Sequence, residues 1–137
     1  MFLIDTMVVS ELVKPAGRQN PSVKSWFKDR PPQDLYLSVV AVAEIHRGIV
    51  GQRKRNPLFA AKLENWLDAT IDDFGARILP VTVEIARRWG DLNAAAGNRN
   101  LDNAIAATAL EHGLAVVTRN IAHFKPAGVA TVDPFKD

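Results

Sequence analysis

Leu101-Asp102-Asn103-Ala104-Ile105-Ala106-Ala107-Thr108-Ala109-Leu110-Glu111-His112-Gly113-Leu114-Ala115-Val116-Val117-Thr118 reads as a helix, a stop and a strand, and it decides the fold. Alanine and other good helix formers carry the helix over 102–112. Gly113 is its natural stop, because glycine enters the left-handed conformation of a helix C-cap at little cost. The run 114–118 is too apolar to face water on either side, so it is expected to be a strand buried in a parallel sheet.

The same alternation appears on working outward. Phe2-Leu3-Ile4 is a short strand ending in Asp5, and 6–13 follows with helical spacing until Lys14-Pro15-Ala16-Gly17 stops it. Asn20-Pro21 opens a second helix through Val23, Trp26 and Phe27, closed by Pro31-Pro32. Leu35-Tyr36-Leu37 is the next strand, and Ser38 stands where it would cap a helix over 39–50. The stretch 51–57, rich in Arg and Lys, is expected to break the chain before a long amphipathic helix over 58–74. A short strand over 78–81, a helix over 83–96 and a last strand over 129–132 complete the pattern. Strands alternating with helices predict an α/β fold, a parallel sheet covered on both faces, in a single domain spanning 1–137.

Composition narrows the chemistry. With 137 residues, 47% hydrophobic, the chain can bury a sizeable core without disulfides or a structural metal. Cysteine is absent, which excludes thiol catalysis, Cys-ligated zinc and disulfide frameworks. The N-terminus carries no basic leader and reaches a carboxylate at its fifth residue, and no stretch has the length of a membrane span. A soluble, cytoplasmic protein is expected. Seventeen Lys and Arg stand against 15 Asp and Glu, and setting aside three acids argued below leaves 17 against 12. A moderately basic remainder suits a polyanionic partner.

Those acids are Asp5, Glu44 and Asp102. Ligands of open parallel sheets bind beyond the carboxyl ends of the strands, and Asp5 ends the first strand, where it is also placed to cap the next helix. Glu44 follows Ser38 by six residues, roughly 9 Å into its helix at ~1.5 Å per residue, too far in to be a cap. On a helical wheel Val39, Val42, Ala43, Ile49 and Val50 gather on one side, with Glu44, Gly48 and Ala41 opposite; His46 falls among the valines, as a core or interface histidine would. Asp102 opens the alanine-rich helix, where capping is the alternative role. Carboxylates that converge raise one another's pKa unless a cation compensates. An all-oxygen cluster without cysteine favours Mg²⁺ or Mn²⁺ over zinc. Trp26, Trp66 and Trp89 sit among apolar neighbours and are expected to pack rather than stack on bases.

Three stretches, Phe-Leu-Ile-Asp5-Thr6 with Val-Val-Ser10-Glu11-Leu12, Ser38-Val-Val-Ala-Val-Ala-Glu44-Ile-His-Arg47-Gly48, and 101–120, together resemble the PIN-domain ribonucleases, in particular the VapC toxins of bacterial toxin–antitoxin pairs. The resemblance covers nearly the whole chain. It implies a PIN-like three-layer α/β/α sandwich, Mg²⁺- or Mn²⁺-dependent endoribonuclease activity, homodimerisation, and inhibition by a cognate antitoxin. Carried over by position, Asp5, Glu44 and Asp102 match the family's metal-site acids, and Thr6, Ser10 and Thr118 its supporting polar residues. The chain departs from the pattern at Met7, where relatives often have Asn; at Asn120, which is Asp in many; and at His123, which replaces a carboxylate. Asn120, His123 or water is left to complete the site. An imidazole suits Mn²⁺ better than Mg²⁺, so a preference for Mn²⁺ is expected if His123 is the one. Arg99, Arg119 and Arg47 flank site residues and are the first candidates for RNA phosphates, ahead of Arg53, Lys54, Arg55, Arg87 and Arg88.

Three rival functions remain to be weighed. A phosphatase with an aspartyl nucleophile at Asp5 would commonly place a second acid two residues later, and Met7 fills that position. A PIN-like binding module without activity, and a PIN nuclease directed at DNA, are the others.

Overall fold

In the computed structural model, which describes residues 1–136, five strands form one sheet. They are β1 (Phe2–Ile4), β2 (Leu35–Ser38), β3 (Ile78–Leu79), β4 (Ala115–Val117) and β5 (Thr131–Val132), in the order β3-β2-β1-β4-β5. Every pairing is parallel, with Leu3 opposite both Tyr36 and Val116. Seven α-helices are described: α1 (Thr6–Glu11), α2 (Pro21–Lys28), α3 (Val39–Arg55), α4 (Pro57–Phe74), α5 (Val83–Ala96), α6 (Leu101–His112) and α7 (Ile121–Phe124).

The layers follow from the period of two along a strand. Leu3, Tyr36 and Val116 enter one core with Ile105, Ala106, Ala109 and Phe124, beneath α6 and α7. Their neighbours Ile4, Leu35, Leu37 and Val117 enter the other with Val8, Val9 and Val23, beneath α1 and α2. Helices therefore cover both faces, which is the three-layer sandwich expected. A third cluster, Ile49, Ala60 and Leu67, fastens α3 to α4.

Seven consecutive residues of α6, Asn103 to Ala109, are buried, so this helix has almost no solvent face. Alanine on several sides lets it sit close to the sheet and to α5 at once. Gly113 adopts φ 66° and ends it as the sequence predicts. Ile105 is fully buried in the α6 core. Ile105→Ala is expected to destabilise the fold by about 2–5 kcal/mol, the cost of lost burial plus a cavity, read as a lowered urea midpoint with an unchanged slope.

Three expectations need correction. The break at 51–57 shrinks to Asn56, because Gln52 to Arg55 are good helix formers and the cations of Arg53, Lys54 and Arg55 favour the helix C-terminus, outweighing Gly51. Asn56 caps the next helix through Phe59 N at 3.2 Å, and Pro57 occupies its first turn. The wheel of α3 is rotated: Ala41 and Ile49 are buried and Ile45 packs with them, whereas Val39, Ala43, His46 and Val50 are exposed. His46 is accordingly not a core residue. Finally, the flanking strands are shorter than read, because β3 keeps only Ile78–Leu79 and β5 only Thr131–Val132. The tryptophans behave as expected in being half-buried, and Trp26 meets Phe2 edge-on at 5.1 Å.

Candidate active site

Asp5 stands one residue past β1, at the carboxyl edge of the central strands, held there by its own N–H donating to Val117 O at 2.9 Å. Its Oδ1 accepts from Thr6 N at 2.8 Å and its Oδ2 from Thr118 Oγ1 at 2.8 Å. The first bond caps α1, so Asp5 serves as both cap and site residue. Thr118 follows β4 and is fully buried, and its Oγ1 also accepts from Asn120 N at 3.0 Å, which fixes the direction in which the hydroxyl donates. Glu44, half-buried on α3, accepts at Oε1 from Thr6 Oγ1 at 3.3 Å. Ser38 caps α3 through Val40 N, as the sequence predicts, which sets the helix phase that brings Glu44 to Thr6.

Asp102 lies in the first turn of α6, but the cap is Asn100, whose Oδ1 accepts from Asn103 N at 2.8 Å. Capping therefore does not occupy Asp102. Its Oδ2 instead meets His123 Nδ1 at 3.0 Å. Of the two residues left as candidates to complete the site, His123 reaches the Asp102 carboxylate, while the Asn120 side chain makes no hydrogen bond among the described residues.

The three acids feel one another. Burial pushes the Asp5 carboxyl upward, the Thr118 bond opposes this, and the charge of Asp102 adds to the rise. Glu44 is raised first by burial and then by the charges of Asp5 and Asp102, with Thr6 and Arg47 opposing. Among the described residues no three His, Asp or Glu side chains already stand close enough to chelate an ion. The all-oxygen donors of Asp5, Glu44 and Asp102 are of the kind that hard divalent cations take. The donor set thus fits a divalent cation.

A model of the PIN domain matches residues 2–128. The chain belongs to the PIN-domain family. It is 32% identical to a VapC ribonuclease of Sinorhizobium fredii, with 99% of each chain covered. It is equally 32% identical to toxin FitB of Neisseria gonorrhoeae over the full length of both. The crystal structure of FitAcB from that organism superposes with a TM-score of 0.79 at 32% identity, covering 100% of both chains. The resemblance drawn from the three sequence stretches and the sandwich it implied are therefore correct.

Other residues expected at a PIN site lie further out. Ser10 makes no side-chain hydrogen bond among the described residues and lines a separate cleft with Met7, Glu11, Lys14, Arg119 and Phe135. Arg119 stacks over Phe135, its guanidinium carbon 4.5 Å from the ring centre. Arg47 and Arg99 are exposed beside Glu44 and Asp102 in sequence. Arg53 and Arg88 are engaged at 3.2 Å with Glu64 and Glu111, which leaves them less available for phosphates. The sequence reading passed over Glu11, a buried carboxylate lowered by Lys14 and by Asn20 N, which ties α1 to the start of α2. It also passed over Asn103, whose only signal was a polar residue inside an apolar helix.

Proposed function

We propose that this chain, as one domain over 1–137, is a VapC-like endoribonuclease that hydrolyses RNA phosphodiester bonds with a divalent cation and is restrained by a cognate antitoxin. The observation that carries it is the electrostatic coupling of Asp5, Glu44 and Asp102 at the carboxyl edge of a PIN-domain sheet. Asp5 and Asp102 would hold Mg²⁺ or Mn²⁺, directly or through water. When bound, such an ion polarises a phosphoryl oxygen and offsets the negative charge of the transition state. Glu44 orients the attacking water and takes its proton at a carboxylate oxygen, a role that its raised pKa favours. Thr118 and Thr6 keep Asp5 and Glu44 aimed inward. Arg99, Arg47 and Arg119 contact flanking phosphates.

Apolar side chains stand exposed around this edge and along α3 and α4, among them Met7, Val39, Val50, Leu58 at 83% and Phe59. These are the surfaces we assign to the antitoxin and to a second copy of the chain, as the name toxin of the gonococcal relative supports. No helix among the described residues is long and apolar enough to cross a membrane.

Incubating the purified chain with matched RNA and DNA, with and without Mg²⁺ or Mn²⁺, tests the activity. Metal-dependent cutting of RNA alone is the expected outcome. Cutting of DNA alone, or of neither, overturns the reading. His123 supplies a sharper expectation, because its ring nitrogen meets Asp102 Oδ2 at 3.0 Å beside the proposed metal ligands. The wild type should prefer Mn²⁺, and His123→Asp should raise the Mg²⁺ rate relative to the Mn²⁺ rate about tenfold. Identical metal preferences in the two proteins would mean that His123 only lines the rim.

A further inference from the structure

We propose that the cleft beside Asp102 is a nucleobase-reading subsite, in which an unpaired base next to the cleaved phosphate is held by Asn103 Oδ1 and Asn98 Nδ2. The inference rests on the reading of the chain as a ribonuclease and adds what it recognises. The cleft measures about 400 Å³ and is walled by Asn98, Asn100, Asn103 and Pro126, with Asp102 and His123 along one edge. Its size lies within the roughly 300–1,000 Å³ of ordinary ligand sites.

The asparagines form a connected set. Asn103 Nδ2 donates to Asn93 Oδ1 at 2.9 Å, and the same oxygen accepts from Asn100 N at 3.3 Å. Asn100 Nδ2 then donates to Asn98 Oδ1 at 3.3 Å. Two ends of this chain are unspent among the described residues: the Asn103 carbonyl oxygen, an acceptor, and the Asn98 amide nitrogen, a donor. Asn103 is 6% exposed and lines this cleft, as well as a smaller one that it shares with Leu92, Ala95, Ala96, Pro126 and Ala127. Capping α6 needs only Asn100, and tying α6 to α5 needs only the Asn103 amide nitrogen. Neither accounts for the free oxygen.

The chemistry selects the occupant. No Lys or Arg is among the lining residues, so the cleft offers an anion no counter-charge of its own. A neutral acceptor and a neutral donor lining one cleft match the hydrogen-bonding groups on the edge of a base, and asparagine is suited to reading such edges. Pro126 and the His123 ring offer flat surface against which an unstacked base can lie. Because Asp102 belongs to both the cleft and the acid cluster, a base seated here is one close to the reacting phosphate.

The test uses the full chain with Mn²⁺ and a pool of single-stranded RNA randomised around the cut, with fragment ends sequenced. The readout is the ratio of cleavage rates for the most and least favoured base at each position. Wild type should show a ratio of about ten or more at one position adjoining the cut, the discrimination that one or two hydrogen bonds supply. Asn98→Ala, on the exposed loop, and Asn103→Ser should each bring that ratio close to one while ratios at other positions stay. Should Asn103→Ser fail to fold, Asn98→Ala decides alone. Unchanged ratios in Asn98→Ala, or no preference in wild type, overturn the subsite while RNA cleavage still stands. Unchanged ratios together with weakened inhibition by the antitoxin would also overturn it and make the cleft a protein-docking face. Failure of wild type to cut RNA at all is a different result, which removes the ribonuclease reading itself.

Discussion

Asp5→Asn is expected to slow RNA cleavage on the order of 10³-fold, about 4 kcal/mol of transition-state stabilisation, while leaving the metal-free fold at least as stable as wild type. The two halves of this expectation have one cause. Asp5 is 5% exposed and its ionised form is penalised by burial and by Asp102. The amide has the same shape, and with its oxygen accepting from Thr6 N and its nitrogen donating to Thr118 Oγ1 the cap and the packing survive. What disappears is the negative charge, which costs stability in the free protein and would be repaid only by a bound cation. Cleavage assays beside thermal melts at pH 7.5 in chelator decide it. Lost activity with an unchanged or higher melting temperature assigns Asp5 to the site. Lost activity with a lowered one reduces it to a helix cap, and retained activity removes it from the mechanism.

How much of this was legible in the sequence depends on whether an element announces its surroundings. Asn103 to Ala109 are buried, as are Leu114, Val116 and Val117, so the burial is written as two mostly apolar runs, and the glycine at 113 marks the boundary between helix and strand. That Asp5, Glu44 and Asp102 feel one another was legible because Asp5 follows a strand, Asp102 opens a helix and Glu44 lies in the second turn of another, where topology brings distant segments to one sheet edge. The face of α3 was not. Val39, Ala43 and Val50 are apolar yet exposed, so a wheel counting apolar residues turned toward them, keeping Ile49 on its apolar side but leaving the buried Ala41 on the opposite one. A helix with two apolar faces cannot tell its own core from a surface meant for another chain. The length of α3 was hidden for a different reason, since Gly51 is a local penalty of about 1 kcal/mol that the packing against Ala60 and Leu67 overrides. The partnering of His123 with Asp102 depends on α7, a four-residue helix with no periodic signal at all.

Divalent cations should invert the pH dependence of stability, and chelation should abolish cleavage. Asp5 and Glu44 both have folded-state pKa values raised above those of the unfolded chain. In the window between the unfolded and folded values the native state binds more protons than the unfolded state, so stability falls as pH rises through it. The destabilisation is complete above the folded values, and acidifying the metal-free protein down through them should therefore raise its melting temperature. Glu11 has the opposite sign: its pKa is lowered by Lys14 and Asn20 N, and the stability it contributes is lost as pH falls through its folded value. That loss bounds the gain from below. A cation binds the deprotonated acids and competes with protons, so its stabilisation grows with pH. At about 100 times its dissociation constant it supplies about 2.7 kcal/mol, on the order of 10 °C for a chain of this size. Melts taken across this window should thus decline with pH in chelator and rise with pH in Mn²⁺, and the two curves should coincide where both acids are protonated. In Asp5→Asn the gap between them should narrow by most of its width, because one of two principal ligands is gone. Parallel curves in chelator and in metal at every pH, with cleavage indifferent to chelator, would show that the coupled acids hold no cation and that Asp5, Glu44 and Asp102 must act in some other way.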